Sequence, residues 1–270
     1  MEVDVAKAAE HVADTEVFEF PFGLEWEVPQ VFGTSFPITK FMVLELLTAL
    51  LMAAIFIPLA RRVADGRPPR GRFWNMWDMV LLFVRDEMAR PAIGRHEADR
   101  FLPYLWNAFF FVLFCNLLGL VPWAGSPTGA LAVTGTLAAM TFCTVVGAGM
   151  LTFGPVKFWT GLVPHMGLPW KLAIPLYLII LPIEIASLFI KHMILAIRLL
   201  ANMFAGHLVL AVIIGFSVMF AGSWGWYGVM PASVFGAAAL CLLELLVAFL
   251  QAYIFTFLSA LFIGMAVHQH

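Results

Sequence analysis

The chain has 270 residues, 62% of them hydrophobic and only 12% charged, against about 45–50% apolar and about 25% charged in soluble globular domains. A water-soluble core is therefore excluded, and lipid is the expected solvent. The formal net charge of −2 gives no basis for a nucleic-acid partner.

The distribution of charge says more than its sum. Residues 1–37 form an acidic segment (Glu2, Asp4, Glu10, Asp14, Glu16, Glu19, Glu25, Glu27), whereas arginines crowd the stretch from Arg61 to Arg100. The positive-inside rule keeps the arginine-rich loop in the cytoplasm and puts the acidic N-terminus outside. That N-terminus lacks the basic, apolar and small-residue order of a cleaved signal and is too acidic for a transit peptide. The first helix is expected to direct insertion.

The membrane domain is expected over residues 38–270. Residues 38–60 hold the first span, whose apolar run Phe41 to Ala60 ends at Arg61 and Arg62 before the turn-rich Gly66, Pro68, Pro69 and Gly71. Lys40 and Glu45 are expected at the interface. Residues 61–100 read as a cytoplasmic loop, in which Phe73 to Met88 is too short and too charged to span and is expected to lie in the interface as an amphipathic helix. Residues 101–153 read as a helical hairpin, Phe101 to Pro122 and Leu131 to Phe153, turned at Trp123, Gly125, Ser126, Pro127 and Gly129. Residues 172–267 carry two long apolar runs, Leu172 to Met219 and Ala232 to Val267. At about 1.5 Å per residue each is too long for a perpendicular crossing of a core about 30 Å thick, so each must tilt steeply, break or lie partly in the membrane plane. The fold class is an all-α integral membrane protein with five crossings and an interfacial helix, leaving His270 in the cytoplasm. Cys115, Cys143 and Cys241 sit in apolar runs without paired or metal-ligand spacing and are expected to be packing residues.

From Leu102 onward the only Asp, Glu, Lys or Arg residues are Lys157, Lys171, Glu184, Lys191, Arg198 and Glu244. Glu184, Lys191, Arg198 and Glu244 fall inside long apolar segments, where a charge costs a few kcal/mol or more and marks an ion pathway. Ser187, Lys191, Arg198 and Asn202 share one helical stripe. His207 lies about 13 Å beyond Arg198 on roughly the opposite face. On the last helix Glu244 and Gln251 share a face; with Gln251 at the depth of Arg198, Glu244 comes about 10 Å outward, near the level of His207. The pattern reads as two aqueous half-channels parted by a fixed cation: Glu244, His207, Asn202 and Gln251 on the outer side, and Glu184, Ser187 and Lys191 toward the cytoplasm. Arginine holds its proton in all ordinary conditions, whereas Glu and His exchange theirs.

The run Ile190 to His207, IKHMILAIRLLANMFAGH, resembles the signature of subunit a of F-type ATP synthases, built on R-L-x-x-N-x-x-A-G-[EH]. Supporting matches are Asn116 to Pro122, Val133-Thr134, and the last helix with Glu244, Gln251 and Ala252 to Phe255. The resemblance covers roughly residues 38–270, is most specific in the last ninety or so, and leaves the first 37 aside. It implies that Arg198 is the family's essential arginine and Asn202 its asparagine, and that the chain is a stator channel beside a rotating ring of c subunits, each with one carboxyl group. It further implies a b-type peripheral stalk, a soluble F1 head reached through the complex, and a place in a bacterial inner membrane among its lipids. Many bacterial members carry Glu at the position of His207 and His at that of Glu244; the exchange here keeps one carboxylate and one imidazole.

No G-x-x-x-x-G-K-[ST] stretch is present, so no nucleotide and no other cofactor is expected, and the chain is not expected to be an enzyme by itself. His268 and His270 are too sparse for a metal site. A stand-alone secondary transporter would show internal repeats with matching helix interruptions, and an intramembrane protease would show H-E-x-x-H or a comparable constellation; neither is in the sequence.

Overall fold

A computed structural model describes residues 17–20, 24–27, 39–64, 66, 71–121, 125–163 and 170–268, with side chains described for those from 39 onward except 170–174. Most of the acidic tail, the turn residues Pro68 and Pro69, Trp123, His165, Pro169 and His270 lie outside the described residues. Within the N-terminal segment two short strands, β1 (Val17–Phe20) and β2 (Leu24–Glu27), pair antiparallel in the register Val17↔Glu27 to Phe20↔Leu24. The sequence reading assigned no structure there.

Among the described residues all other regular elements are helical. They are α1 (Lys40–Val63), α2 (Arg72–Phe83), a π-helical stretch (Val84–Ala89), α3 (Arg90–Ile93), α4 (Ala98–Gly119), a 3₁₀ turn (Pro127–Gly129), α5 (Leu131–Phe153), α6 (Pro155–Thr160), α7 (Trp170–Met219) and α8 (Trp226–Val267). Among the described residues five helices, α1, α4, α5, α7 and α8, are long and apolar enough to cross a membrane. α2 buries none of its residues and leaves Phe73, Met76, Met79 and Leu82 exposed, which suits an interfacial helix. The two long runs are unbroken helices. α7 continues through Pro175 and Pro182, and α8 begins at Trp226 with Pro231 inside it, earlier than the expected Ala232.

The chain divides into two compact units: unit 1 comprises Met1–Asp65, Phe110–Thr134 and Arg198–Ala252, and unit 2 comprises Gly66–Phe109, Gly135–Ile197 and Tyr253–His270. In unit 1, Phe41 and Leu44 of α1 are buried with Val43 and Ala130 packed against them. Farther along α1, Thr48 meets the Cys115 thiol at 3.6 Å and Phe56 meets Phe110 with ring centroids 4.4 Å apart. A buried polar chain closes the α4–α5 turn: Thr128 Oγ1 donates to Asn116 Oδ1 at 2.7 Å and shares a 2.8 Å hydrogen bond with Ser126 Oγ. Gly119 lets this turn approach α7, since a Cβ there would collide with Ser126 and Met203.

In unit 2, Trp106 Nε1 donates to the Leu81 carbonyl and the Tyr104 hydroxyl bonds Thr141 Oγ1 at 2.6 Å, tying α4 to α2 and α5. Gly264 admits the Ala92 carbonyl, and His268 reaches the Ile93 carbonyl at 2.7 Å, so the end of α8 is held against α3. In the interfacial loop Arg85 and Arg90 both donate to Asp86. The Arg85 hydrogen bonds hold the Asp86 carboxyl below the usual carboxylate range.

Two expectations are corrected. Only Cys115 of the cysteines is buried; Cys143 and Cys241 are exposed, because a wholly apolar helix leaves one face to lipid and a small thiol sits there without penalty. Lys40, expected at the interface, is buried with 4% of its surface accessible.

Candidate functional site

Unit 1 gathers most of the polar residues that the apolar segments carry. Asn202 of α7 donates from Nδ2 to Gln251 Oε1 of α8 at 2.8 Å. Gln251 is 1% exposed, and its own Nε2 has no hydrogen-bond partner among the described residues. Four residues on along α7, the Cα of Gly206 faces the Glu244 carboxylate, and a Cβ at 206 would overlap Glu244 Oε1. The pairs Asn202–Gln251 and Gly206–Glu244 run in opposite order along the two helices, so this stretch of α7 and α8 is antiparallel. The sequence reading placed Gln251 at the depth of Arg198; the hydrogen bond to Asn202 puts it one helical turn further along α7.

His207 follows Gly206 directly. Among the described residues its Nε2 and the Glu244 Oε1 are both buried without a hydrogen-bond partner, and the two side chains do not bond each other. A buried polar atom left unpaired costs about 1–3 kcal/mol. Both side chains are of a kind that can exchange protons. Arg198 is half-buried and makes no ion pair among the described residues.

Unit 2 carries Glu184, Ser187 and Lys191, which precede Arg198 on α7. Glu184 and Ser187 are half-buried and Lys191 is exposed; no hydrogen bond or ion pair joins the three among the described residues. Beside them, His192 is buried between Phe142 and Phe262, with ring centroids 5.3 and 5.0 Å away, and its Nδ1 bonds the Leu188 carbonyl at 2.8 Å.

Sequence reasoning missed Gly206 as part of this arrangement. The A-G-H stretch named the glycine, but only the facing carboxylate gives its missing side chain a meaning.

A polytopic helical membrane protein with a buried polar seam between two antiparallel helices is thereby defined. Residues 42–264 match the ATP synthase A chain family, and the chain belongs to that family. It is similar to ATP synthase subunit a of Myxococcus xanthus, at 40% identity over 94% of this chain and 87% of the relative. Proteins of the same name from Anaeromyxobacter dehalogenans and Chloroherpeton thalassium are each 38% identical over 96% of this chain, covering 70% and 76% of their own lengths. The chain is accordingly a proton-translocating membrane subunit of the Fo part of an ATP synthase, non-catalytic by itself, and it works within that complex.

Proposed function

We propose that this subunit provides two aqueous half-channels parted by Arg198, through which protons reach and leave the carboxylates of a rotating c-ring. The observation that carries the reading is the unit 1 seam: Asn202 bonded to Gln251, with the Glu244 carboxylate seated against Gly206 beside His207. Glu244 and His207 pass the proton along the outer half-channel, with Asn202 and Gln251 fixing the helix register and offering amide groups to water. Arg198 keeps its charge throughout. It stabilises the ionised form of each ring carboxylate as it passes, which releases that carboxylate's proton and blocks a direct leak. Glu184, Ser187 and Lys191 serve the cytoplasmic half-channel. A b-type stalk holds the subunit still, and the F1 head makes ATP as the ring turns.

The reading places the chain in a bacterial inner membrane, N-terminus outside and C-terminus in the cytoplasm. Single cysteines at Thr15 and Gln269, in a background without the native three, should react with an impermeant thiol reagent from opposite sides; reaction from one side would reverse the crossing number. The function itself is tested by mild-detergent purification and reconstitution. A ring of small hairpin subunits with a buried carboxyl should copurify, and ATP should acidify the vesicles. Transport by this chain alone, without a ring, would instead make it a transporter.

A further inference from the structure

His192 lies on the part of α7 that belongs to unit 2 and is only 3% exposed. Its ring stands between Phe142 of α5, edge-on with centroids 5.3 Å apart, and Phe262 of α8, tilted at 5.0 Å. Phe142 is held in turn by Phe189, one turn earlier on α7. The Nδ1 lies 2.8 Å from the Leu188 carbonyl. A carbonyl only accepts, so Nδ1 carries the ring proton and donates it, and in the neutral ring the lone pair is fixed on Nε2. That nitrogen is buried and has no hydrogen-bond partner among the described residues.

Four hydroxyls of the spanning helices in unit 2 have already committed their protons. Thr141 donates to the Leu137 carbonyl at 2.9 Å, Thr144 to Met140 at 2.8 Å and Ser259 to Phe255 at 2.7 Å. With the Thr141 proton given away, the 2.6 Å bond between Tyr104 and Thr141 Oγ1 is donated by the phenol. These oxygens keep lone pairs that accept but have no proton to offer Nε2. A second proton on the ring would make a buried imidazolium, and no carboxylate is bonded to either ring nitrogen among the described residues. A phenylalanine would fill the same place between two aromatic rings with no unpaired atom, so packing does not account for the nitrogen. A buried acceptor without a donor is ordinarily met by an internal water, which makes about three hydrogen bonds to such groups.

We propose that His192 Nε2 binds an internal water molecule where α5, α7 and α8 meet in unit 2, and that this water makes the imidazole a proton acceptor separate from His207 and Glu244. A proton arriving on the water passes to Nε2, and the imidazolium, held at Nδ1 by the Leu188 carbonyl, returns it by the same route. Among the described side chains, the titratable groups on these elements within unit 2 are Tyr177, Glu184 and Lys191 on α7, Cys143 on α5, and Tyr253 and His268 on α8. Lys191 and Cys143 are exposed, and none of the six is bonded to the ring. The site is independent of the half-channel assignment, since none of its contacts involves a half-channel residue.

Two measurements on the parent complex, purified with its ring, test the site. A cryo-electron map that resolves ordered water should show a peak about 2.9 Å from His192 Nε2. Deuterium exchange at the imidazole Cε1 hydrogen, read by mass spectrometry, needs both a protonated ring and access of aqueous base. For His192 its rate should rise with pH and level off above the ring's titration, as for the exposed His268. A map in which Nε2 meets only carbon or a protein donor, or an exchange rate that stays at background while that of His268 rises, overturns the proposal. His192→Phe keeps the aromatic packing and removes the nitrogens, so the peak should vanish. A peak that persists there is held by other groups and equally overturns it. Should the variant fail to assemble, the two measurements on the parent decide.

Discussion

Asn202 Nδ2 and Gln251 Oε1 lie 2.8 Å apart, and this one hydrogen bond sets the register of α7 against α8 in unit 1. It joins a residue one helical turn beyond Arg198 to one two turns beyond Glu244; in the function proposed above, that would couple the position of the cation to that of the carboxylate.

Removing either partner should weaken pumping. Interhelical hydrogen bonds in membranes are worth about 0.6 kcal/mol on average and up to about 1.7, which corresponds to roughly a three- to twentyfold coupling. A double-mutant cycle of Asn202→Ala and Gln251→Ala on pumping rate should show non-additivity of that size. Purely additive losses would mean that the bond carries no functional coupling.

Gly206→Ala places a methyl group where the Glu244 carboxylate now sits. A displacement of about 1 Å at a reacting group costs up to about a hundredfold in rate, so pumping should fall by tenfold or more. Glu244→Asp withdraws the carboxylate by one methylene and should recover part of the loss in the double variant. Full activity of Gly206→Ala would show that the carboxylate does not need this seat.

How much of this was legible in the sequence depends on the kind of interaction. Apolar runs and their flanking arginines located the five spans, since length and hydrophobicity alone decide whether a segment crosses. The stripe through Arg198 and Asn202 and the face shared by Glu244 and Gln251 followed from helical period and the opposite run of the two helices from successive crossings, but the pairing partner of Gln251 is Asn202, one turn beyond the expected level of Arg198. Helix ends were less legible: the two long runs were expected to tilt, break or lie partly in the membrane plane and the last to start at Ala232, yet α7 runs unbroken through Pro175 and Pro182 and α8 starts at Trp226 and runs through Pro231, since a bilayer offers the freed carbonyls nothing better than an adjacent helical turn. Gly206 could not be placed, because an absent side chain acquires meaning only from the neighbour it meets.

The exchangeable pair makes a further prediction. The double exchange Glu244→His with His207→Glu keeps one carboxylate and one imidazole and should pump, whereas either single change leaves two groups of a kind and should pump poorly. Two like groups at close range cannot both ionise, which drives one titration from the working pH. Harmless single changes, or losses that simply add in the double variant, would return His207 to a packing role.

Everything proposed for the half-channels turns on one fixed charge, and a single comparison reaches it. Arg198→Ala complexes are purified with their ring, reconstituted, and assayed with a pH-sensitive dye for ATP-driven acidification and for ATP synthesis under an imposed proton gradient. With assembly intact, both activities should be lost, because a passing ring carboxylate no longer has a cation to favour release of its proton. Pumping at the parent's rate by the assembled Arg198→Ala complex would contradict the role given to Arg198.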